Sequence, residues 1–261
     1  MKKVLTAALL CAVSSFATWD YFPIKPAGKG EVKAGVDYVM VDKMSMLGLN
    51  AGARFSVIDG LEIAAMFSFP MTMSYDGDAC SDFRDSEDCP PSFAQPIIGL
   101  RYWLPTGIGI ALDVELPFQG KAEGGGKDAN LTFTPAVQYS TNFTEELSLG
   151  SQLGFSIPLE NGNKITPSME LGIGAELDYS LGLVTPLVGV DVQVKVTKEK
   201  FEGEEDPDGK TGTGIIPKVG AIFTFNEMFG ADVAVGFGFG EDYFGTDKTI
   251  TVIAANFSLN F

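Results

Sequence analysis

Charge at every second residue is the feature of this chain that could do chemistry. Ten acids (Glu31, Asp37, Glu62, Asp113, Glu115, Glu170, Glu176, Asp178, Asp191 and Asp232) and five bases (Lys33, Arg54, Arg101, Lys195 and Lys218) alternate with apolar positions. If water fills the space these side chains share, the acid excess favours cations there and disfavours anions. If the charges pair with one another, the same residues plug that space. The candidate permeation path is Asp37, Glu62, Asp113, Glu115, Glu170, Glu176, Asp191, Asp232, Arg54, Arg101, Lys195 and Lys218.

Other chemistries fall away. The chain has no histidine, so a Ser-His-Asp hydrolase would lack its base and histidine metal sites are excluded. No carboxylate pair is singled out for acid–base work, and no enzymatic activity, cofactor or metal is expected. Gly172-Ile173-Gly174 and Gly236-Phe237-Gly238-Phe239-Gly240 are not followed by the helix that a phosphate-binding loop requires. On one face of a curved sheet such glycines let the sheet bend or leave space beside it. Gly209-Lys210-Thr211 fails as a nucleotide loop because five residues, not four, separate Gly203 from Gly209.

Two acidic stretches stand apart. Asp76, Asp78, Asp82, Asp85, Glu87 and Asp88 surround Cys80 and Cys89; Glu202, Glu204, Glu205, Asp206 and Asp208 form the second. Asp206-Pro207-Asp208-Gly209 covers part of a calcium loop but lacks its closing bidentate glutamate. Both stretches read as solvated loops.

The N-terminus reads as an export signal. Lys2 and Lys3 precede an apolar run from Val4 to Val13, and Ser15-Phe16-Ala17 offers a small-x-small cleavage site. Cys11 does not make it a lipoprotein signal, because Leu10 stands where a small residue is wanted. Removing residues 1–17 takes away two lysines and no acids, moving the net charge from −16 to −18. Such a chain repels nucleic acid. In an oxidising compartment Cys80 and Cys89 read as one local disulfide.

The charges must be positioned by strands. The chain is 45% hydrophobic with 31 glycines, yet no apolar run reaches the roughly 18 residues of a membrane-crossing helix. Alternation of period two predicts strands over 29–40, 46–57, 61–70, 94–104, 108–118, 129–139, 147–159, 165–179, 183–197, 214–225, 230–240 and 249–261. Val184, Val188, Val190, Val192, Val194 and Val196 oppose Asp191, Gln193 and Lys195 in the ninth. Every charge listed above falls on the polar face. Alternation alone also suits a soluble sheet, but a Lys or Arg facing lipid at the bilayer midplane costs about 2–4 kcal/mol, and none does so here. Links after even strands are tight, whereas 71–93, 119–128 and 198–213, after odd strands, are long and more charged. Tyr102, Tyr139, Tyr179, Phe225 and Phe261 lie on the apolar face near the tight-turn ends, as an interfacial girdle would. Prolines 96, 117, 135, 158, 167, 186 and 217 interrupt strand ladders, and Pro135, central to the sixth strand, calls for a bulge.

The last segment alternates Thr249, Thr251, Ile253, Ala255, Phe257, Leu259 and Phe261 with Ile250, Val252, Ala254, Asn256, Ser258 and Asn260. Signal peptide, dyad strands and a terminal Phe resemble the outer-membrane β-barrels of Gram-negative bacteria, and in general look the chain is similar to the small transporter-like barrels grouped with aromatic-degradation pathways. The resemblance implies an all-β, antiparallel, up-and-down transmembrane barrel of about twelve strands over 29–261, after a signal peptide (1–17) and a periplasmic lead segment (18–28). It implies the outer membrane as location, with lipid and lipopolysaccharide as surroundings and the barrel-assembly machinery engaging the strand that ends in Phe261. For the acidic loops, divalent cations bridging them to lipopolysaccharide are a reading intermediate between solvated loops and a dedicated ion site. The implied function is a passive pore or small-solute transporter with an acidic, cation-leaning lumen. A closed structural or adhesive barrel acting through its acidic loops is the alternative. A transporter of hydrophobic solutes would need an apolar lumen patch, for which inward Ile97 and Trp103 are too few. The inward glycines favour open volume. Residues 18–28, with Trp19, Tyr21 and Phe22, either fold into the lumen or hang free.

Overall fold

A computed structural model describes residues 21–75, 78–79, 96–117, 130–207 and 209–261. Twelve long antiparallel strands carry the fold: β1 (Gly30–Val41), β2 (Met44–Ile58), β3 (Leu61–Tyr75), β4 (Ile97–Trp103), β5 (Ile108–Glu115), β6 (Thr132–Asn142), β7 (Leu147–Pro158), β8 (Glu170–Tyr179), β9 (Val184–Lys195), β10 (Gly212–Thr224), β11 (Phe229–Gly238) and β12 (Ile250–Asn260). Each pairs with its sequence neighbours, and β12 pairs with β1, so the sheet closes without an edge. Closure leaves no unpaired edge strand among the twelve, which a sheet in lipid requires.

Exposure is inverted relative to a water-soluble protein. Tyr102, Tyr139, Tyr179, Phe225 and Phe261 are each 45% exposed or more, whereas Arg101, Glu62 and Gln138 are 1% exposed or less. Most apolar strand residues point outward and the charged ones point in, the arrangement of a membrane barrel. The short-turn end carries Gly30 and Phe261, which exchange backbone hydrogen bonds of 2.9 and 3.1 Å. Gly60, in the turn between β2 and β3, has φ of 86°, and a Cβ there would stand 2.9 Å from the Trp103 carbonyl oxygen. Only glycine suits that turn.

Several expectations change in detail. The predicted eighth strand is split: Ile165–Thr166 leaves the barrel to pair with Lys200–Phe201, which pairs in turn with Glu204–Glu205. Pro167 has no N–H to continue the ladder, and β8 begins at Glu170, after the Met169 N–H has bonded to Thr197 Oγ1 at 2.8 Å. Pro135 makes no bulge. The β5–β6 register runs through it unbroken, and the β6–β7 register is the same on either side, lapsing only at Thr134 and Pro135. A bulge does occur in β3, where Leu47 pairs with Thr72 but Gly48 with Pro70. The eleventh strand ends earlier than predicted: after Gly238, a short helix α1 (Glu241–Phe244) lies between Gly240, at φ 135°, and Gly245, at φ 73°. Cys80 and Cys89, and most of the first acidic loop, lie outside the described residues.

Candidate functional site: the barrel lumen

Register brings the inward charges together. Across β1, β2, β3 and β4, Glu31 pairs opposite Arg54 and Glu62 opposite Arg101, while Arg54 and Glu62 are diagonal neighbours. The result is a buried ladder of alternating sign. Arg54 Nη2 lies 2.7 Å from Glu31 Oε2, Arg54 Nε 3.9 Å from Glu62 Oε2, and Arg101 Nε donates to Glu62 Oε1 at 3.0 Å. Lys25, from the segment before β1, adds a contact of 3.2 Å to Glu31. Alternation of sign lets each buried charge be held by the next, without which burial would be prohibitive.

A neutral stretch follows. Gln138 and Gln152, directly opposite on β6 and β7, join through a 2.7 Å hydrogen bond. Trp103 turns inward over Gly109, where a Cβ would meet its ring.

The facing wall is built differently. Glu176 on β8, Gly189 on β9 and Lys218 on β10 form one row, and the missing Cβ of Gly189 makes room for the Lys218 stem. Lys218 Nζ reaches Glu176 at 2.9 Å and Asp191 at 3.6 Å. Nearer the β11–β12–β1 seam, Lys33 meets Asp232 at 2.9 Å, Asn256 donates to Asp232 at 2.6 Å, and Asn50 donates to Asp37 at 2.7 Å. Asp113 is buried on the inward face of β5, and Glu115 ends the same strand.

Both ends of the lumen are occupied by pieces that alternation did not disclose. At the long-loop end, α1 folds inward. Tyr243 and Phe244 are 3% exposed and pack with Val39, Val41, Met46, Ile216 and Ile250. The Tyr243 hydroxyl lies 2.6 Å from Glu170 Oε2 and 2.5 Å from Gln193 Oε1. Lys195 Nζ donates to the Tyr243 carbonyl at 2.7 Å and sits 4.8 Å from its ring centre. Glu170 and Lys195, predicted as path residues, thus hold a cap in place. At the short-turn end Tyr21 is 3% exposed and its hydroxyl donates to Asp191. The described part of the lead segment, residues 21–28, folds in rather than hanging free.

These contacts correct the reading of the glycines as open volume. A Cβ on Gly150 would stand 2.8 Å from Tyr21 Cβ, and one on Gly214 2.7 Å from Tyr243 Cδ1. The space is real but borrowed side chains fill it. The expected shortage of inward apolar residues is also corrected: Val39, Val41, Met46, Ile216 and Ile250 share the lumen face with the charges. Their one sequence signal was their position on the polar side of the alternation. Among the described residues no group of three or more Cys, Asp or Glu is arranged to hold a metal ion, and Glu202 of the second acidic loop pairs with Lys164 at 2.9 Å on the exposed surface.

Solved structures share this architecture. An outer-membrane channel from Pseudomonas putida F1 aligns with a TM-score of 0.69 at 11% identity, covering 93% of this chain and 98% of that one. The NanC porin aligns at 0.55 and 6% identity, covering 87% and 98%. The translocator domain of the autotransporter NalP from Neisseria meningitidis aligns at 0.51 and 10% identity, covering 98% and 93%. At such identities the likeness is one of fold. No curated protein sequence matches the chain significantly. The family described as "Putative MetA-pathway of phenol degradation" matches residues 36–251. That span runs from within β1 to the start of β12, and the chain belongs to this family, as an outer-membrane β-barrel.

Proposed function

We propose that the protein is a passive channel for small solutes whose acidic lumen leans toward cations. The observation that carries this reading is the composition of the inward wall in a closed twelve-stranded barrel. Ten acids face five bases there, and Lys25, from the segment before β1, adds a further base beside Glu31. The ladder of Glu31, Arg54, Glu62 and Arg101 consumes two acids for two bases. Lys218 serves both Glu176 and Asp191, and Lys33 serves Asp232. Asp37 is held by the neutral Asn50, and Glu170 bonds the Tyr243 hydroxyl with Lys195 opposite it in register. Pairing therefore leaves the excess negative, and a negative wall in a low-dielectric tube concentrates cations.

This reading takes residues 1–17 as a cleaved signal, 18–28 as a lead segment, and the strand ending at Phe261 as the part engaged by the assembly machinery. The test is planar-bilayer conductance of the refolded barrel under a potassium chloride gradient. Stepwise openings with a cation-selective reversal potential are expected, and the Asp113→Asn/Glu115→Gln double variant should move that potential toward zero. Anion preference in the unaltered protein would sink the proposal.

One observation favours a second reading. Tyr21 at one end and Tyr243 with Phe244 at the other occupy the lumen, as they would in a closed barrel whose work is done by its acidic loops. Deleting 198–213 should then abolish surface binding without changing permeability.

A further inference from the structure

The inward charges differ in how much of them a dissolved ion can reach. In the ladder, Arg101 and Glu62 keep 1% and 0% of their side-chain surface open, and Asp113 and Asp178 are buried as well. Glu170 lies under the Tyr243 hydroxyl, and Glu176 and Asp191 share Lys218. Glu115 stands at the end of β5, towards the long-loop mouth. Lys33 and Asp232, at the seam of β11, β12 and β1, keep 29% and 20%. Charge within reach of water is therefore concentrated at that seam.

Register shows what surrounds it. One row runs through Gly220 on β10, Ala234 on β11, Ala254 on β12, Asp37 on β1 and Gly48 on β2. Across these five adjacent strands Asp37 is the one inward side chain of the row longer than a methyl group. A Cβ on Gly48 would find nothing nearer than the Phe69 carbonyl oxygen at 3.6 Å, so there is room beside the carboxylate. The neighbouring row runs through Asp232, Asn256, Gly35 and Asn50. Each amide there commits an N–H to a carboxylate, Asn50 to Asp37 at 2.7 Å and Asn256 to Asp232 at 2.6 Å. The amide oxygens stay acceptors, and that of Asn256 lies over Gly35, where a Cβ would collide with it. Asp232 is neutralised by Lys33 at 2.9 Å, whereas Asp37 is held by the neutral Asn50. A charge that is fixed in place but not cancelled acts on every ion that passes it.

We propose that Asp37 is the specificity-determining residue of the lumen: its carboxylate, alone in a row of small side chains and steadied by Asn50, admits small cations and turns back anions. The assignment rests on the channel reading above and narrows its acidic excess to one position.

The test measures reversal potentials of the refolded barrel in planar bilayers under a potassium chloride gradient. Asp37→Asn keeps the shape of the side chain and removes its charge. It should lower the potassium-to-chloride permeability ratio about fivefold, the weight of one unit charge a few ångströms from a hydrated ion. Asp37→Glu, which keeps the charge, should retain most of the ratio, and Asp37→Lys should reverse the preference. The Asp113→Asn/Glu115→Gln double variant, although it removes two charges, should shift the ratio less than Asp37→Asn alone. A second measurement needs no conductance. With Cys80→Ser and Cys89→Ser in place, Gly48→Cys sets a thiol beside Asp37. A positively charged methanethiosulfonate should modify it faster than a negatively charged one of similar size, and adding Asp37→Asn should cut that rate ratio about fivefold.

A cation-selective pore whose ratio Asp37→Asn leaves unchanged overturns the assignment while the channel reading stands. Anion preference in the unaltered protein overturns both. If the barrel does not conduct, the channel reading falls and the thiol rates decide Asp37 by themselves: a rate ratio indifferent to Asp37→Asn overturns it. Should Asp37→Asn fail to give a heat-modifiable barrel, Asp37→Ala takes its place in both measurements.

Discussion

The two sides of this lumen solve one problem in opposite ways. The β1–β4 wall fills its share of the interior with its own long side chains, Glu31, Arg54, Glu62 and Arg101, locked in a line of alternating charge. The β7–β11 wall places glycines at 150, 174, 189, 214, 236 and 238 and takes in Tyr21, the Lys218 stem, Tyr243 and Phe244 to fill the gaps. The first wall is rigid by pairing. The second is filled in part by Tyr21, Tyr243 and Phe244, which come from outside the barrel strands.

The contrast fails most visibly if the ladder can be cut cheaply. Arg101→Ala leaves Glu62, fully buried, without its closest cation. Breaking a buried pair from one side costs about 3–5 kcal/mol, and the loss should appear as a lower midpoint in urea unfolding from detergent or lipid. Replacing both partners, Arg101→Met with Glu62→Leu, should recover most of that loss, because no orphaned charge remains. A single variant as stable as the unaltered protein would mean that water reaches the ladder.

A smaller loss is expected on the facing side. Phe244→Ala empties an apolar notch over Gly214 and Gly238, where the ring now sits. Full core truncations of this kind cost about 3–5 kcal/mol, but α1 is a loop element between two glycines and can collapse or detach at less than that. The barrel should unfold at a midpoint close to normal, while accessibility of a cysteine placed at Val41 to a thiol reagent rises sharply. A large stability loss would make the cap part of the barrel's core and erase the difference between the walls.

The two walls also differ in how far the sequence disclosed them. Alternation of period two marks which residues face inward, so the cylinder, the outward tyrosines and the inward facing of the charged residues were legible. The ladder was implicit in the same pattern, since Glu31 meets Arg54 once β1 and β2 are in register. Alternation says nothing about occupants. Tyr21 and Tyr243 belong to segments without a two-residue period, and Gly150 or Gly214 declares a missing Cβ without naming what fills the place. Residues 239 and 240 read as the end of the eleventh strand because Phe237 and Phe239 continue the alternation of β11. The chain leaves it at Gly240, whose φ of 135° is one that L side chains rarely adopt.

The glycine wall makes a finer prediction. Gly150→Ala should leave strand pairing intact, because alanine is accepted in a strand, while its methyl group collides with Tyr21 Cβ and the neighbouring Phe22 ring. The lead segment should be expelled, and residues 21–29 should become cleavable by added protease at a rate well above that of the unaltered protein. The paired control is Gly48→Ala on β2, where the nearest atom to an added Cβ is 3.6 Å away and no change in cleavage is expected. Equal protection in both variants would show that the segment is held by contacts other than those at Gly150.

The smallest effect belongs to a pair that looks like a rung of the ladder but is not. Lys164 and Glu202 meet at 2.9 Å, as close as many of the inward pairs, yet their side chains are 61% and 55% exposed. Solvent screens such a pair and its two flexible chains resist being held, so exposed pairs contribute about 0–1 kcal/mol. Lys164→Ala should therefore change the unfolding midpoint by a small fraction of what Arg101→Ala does, and added salt should remove even that. Equal losses from the two variants would mean that distance alone sets the strength of these pairs, and the distinction between a wall rigid by buried charge and a surface that merely carries charge would collapse.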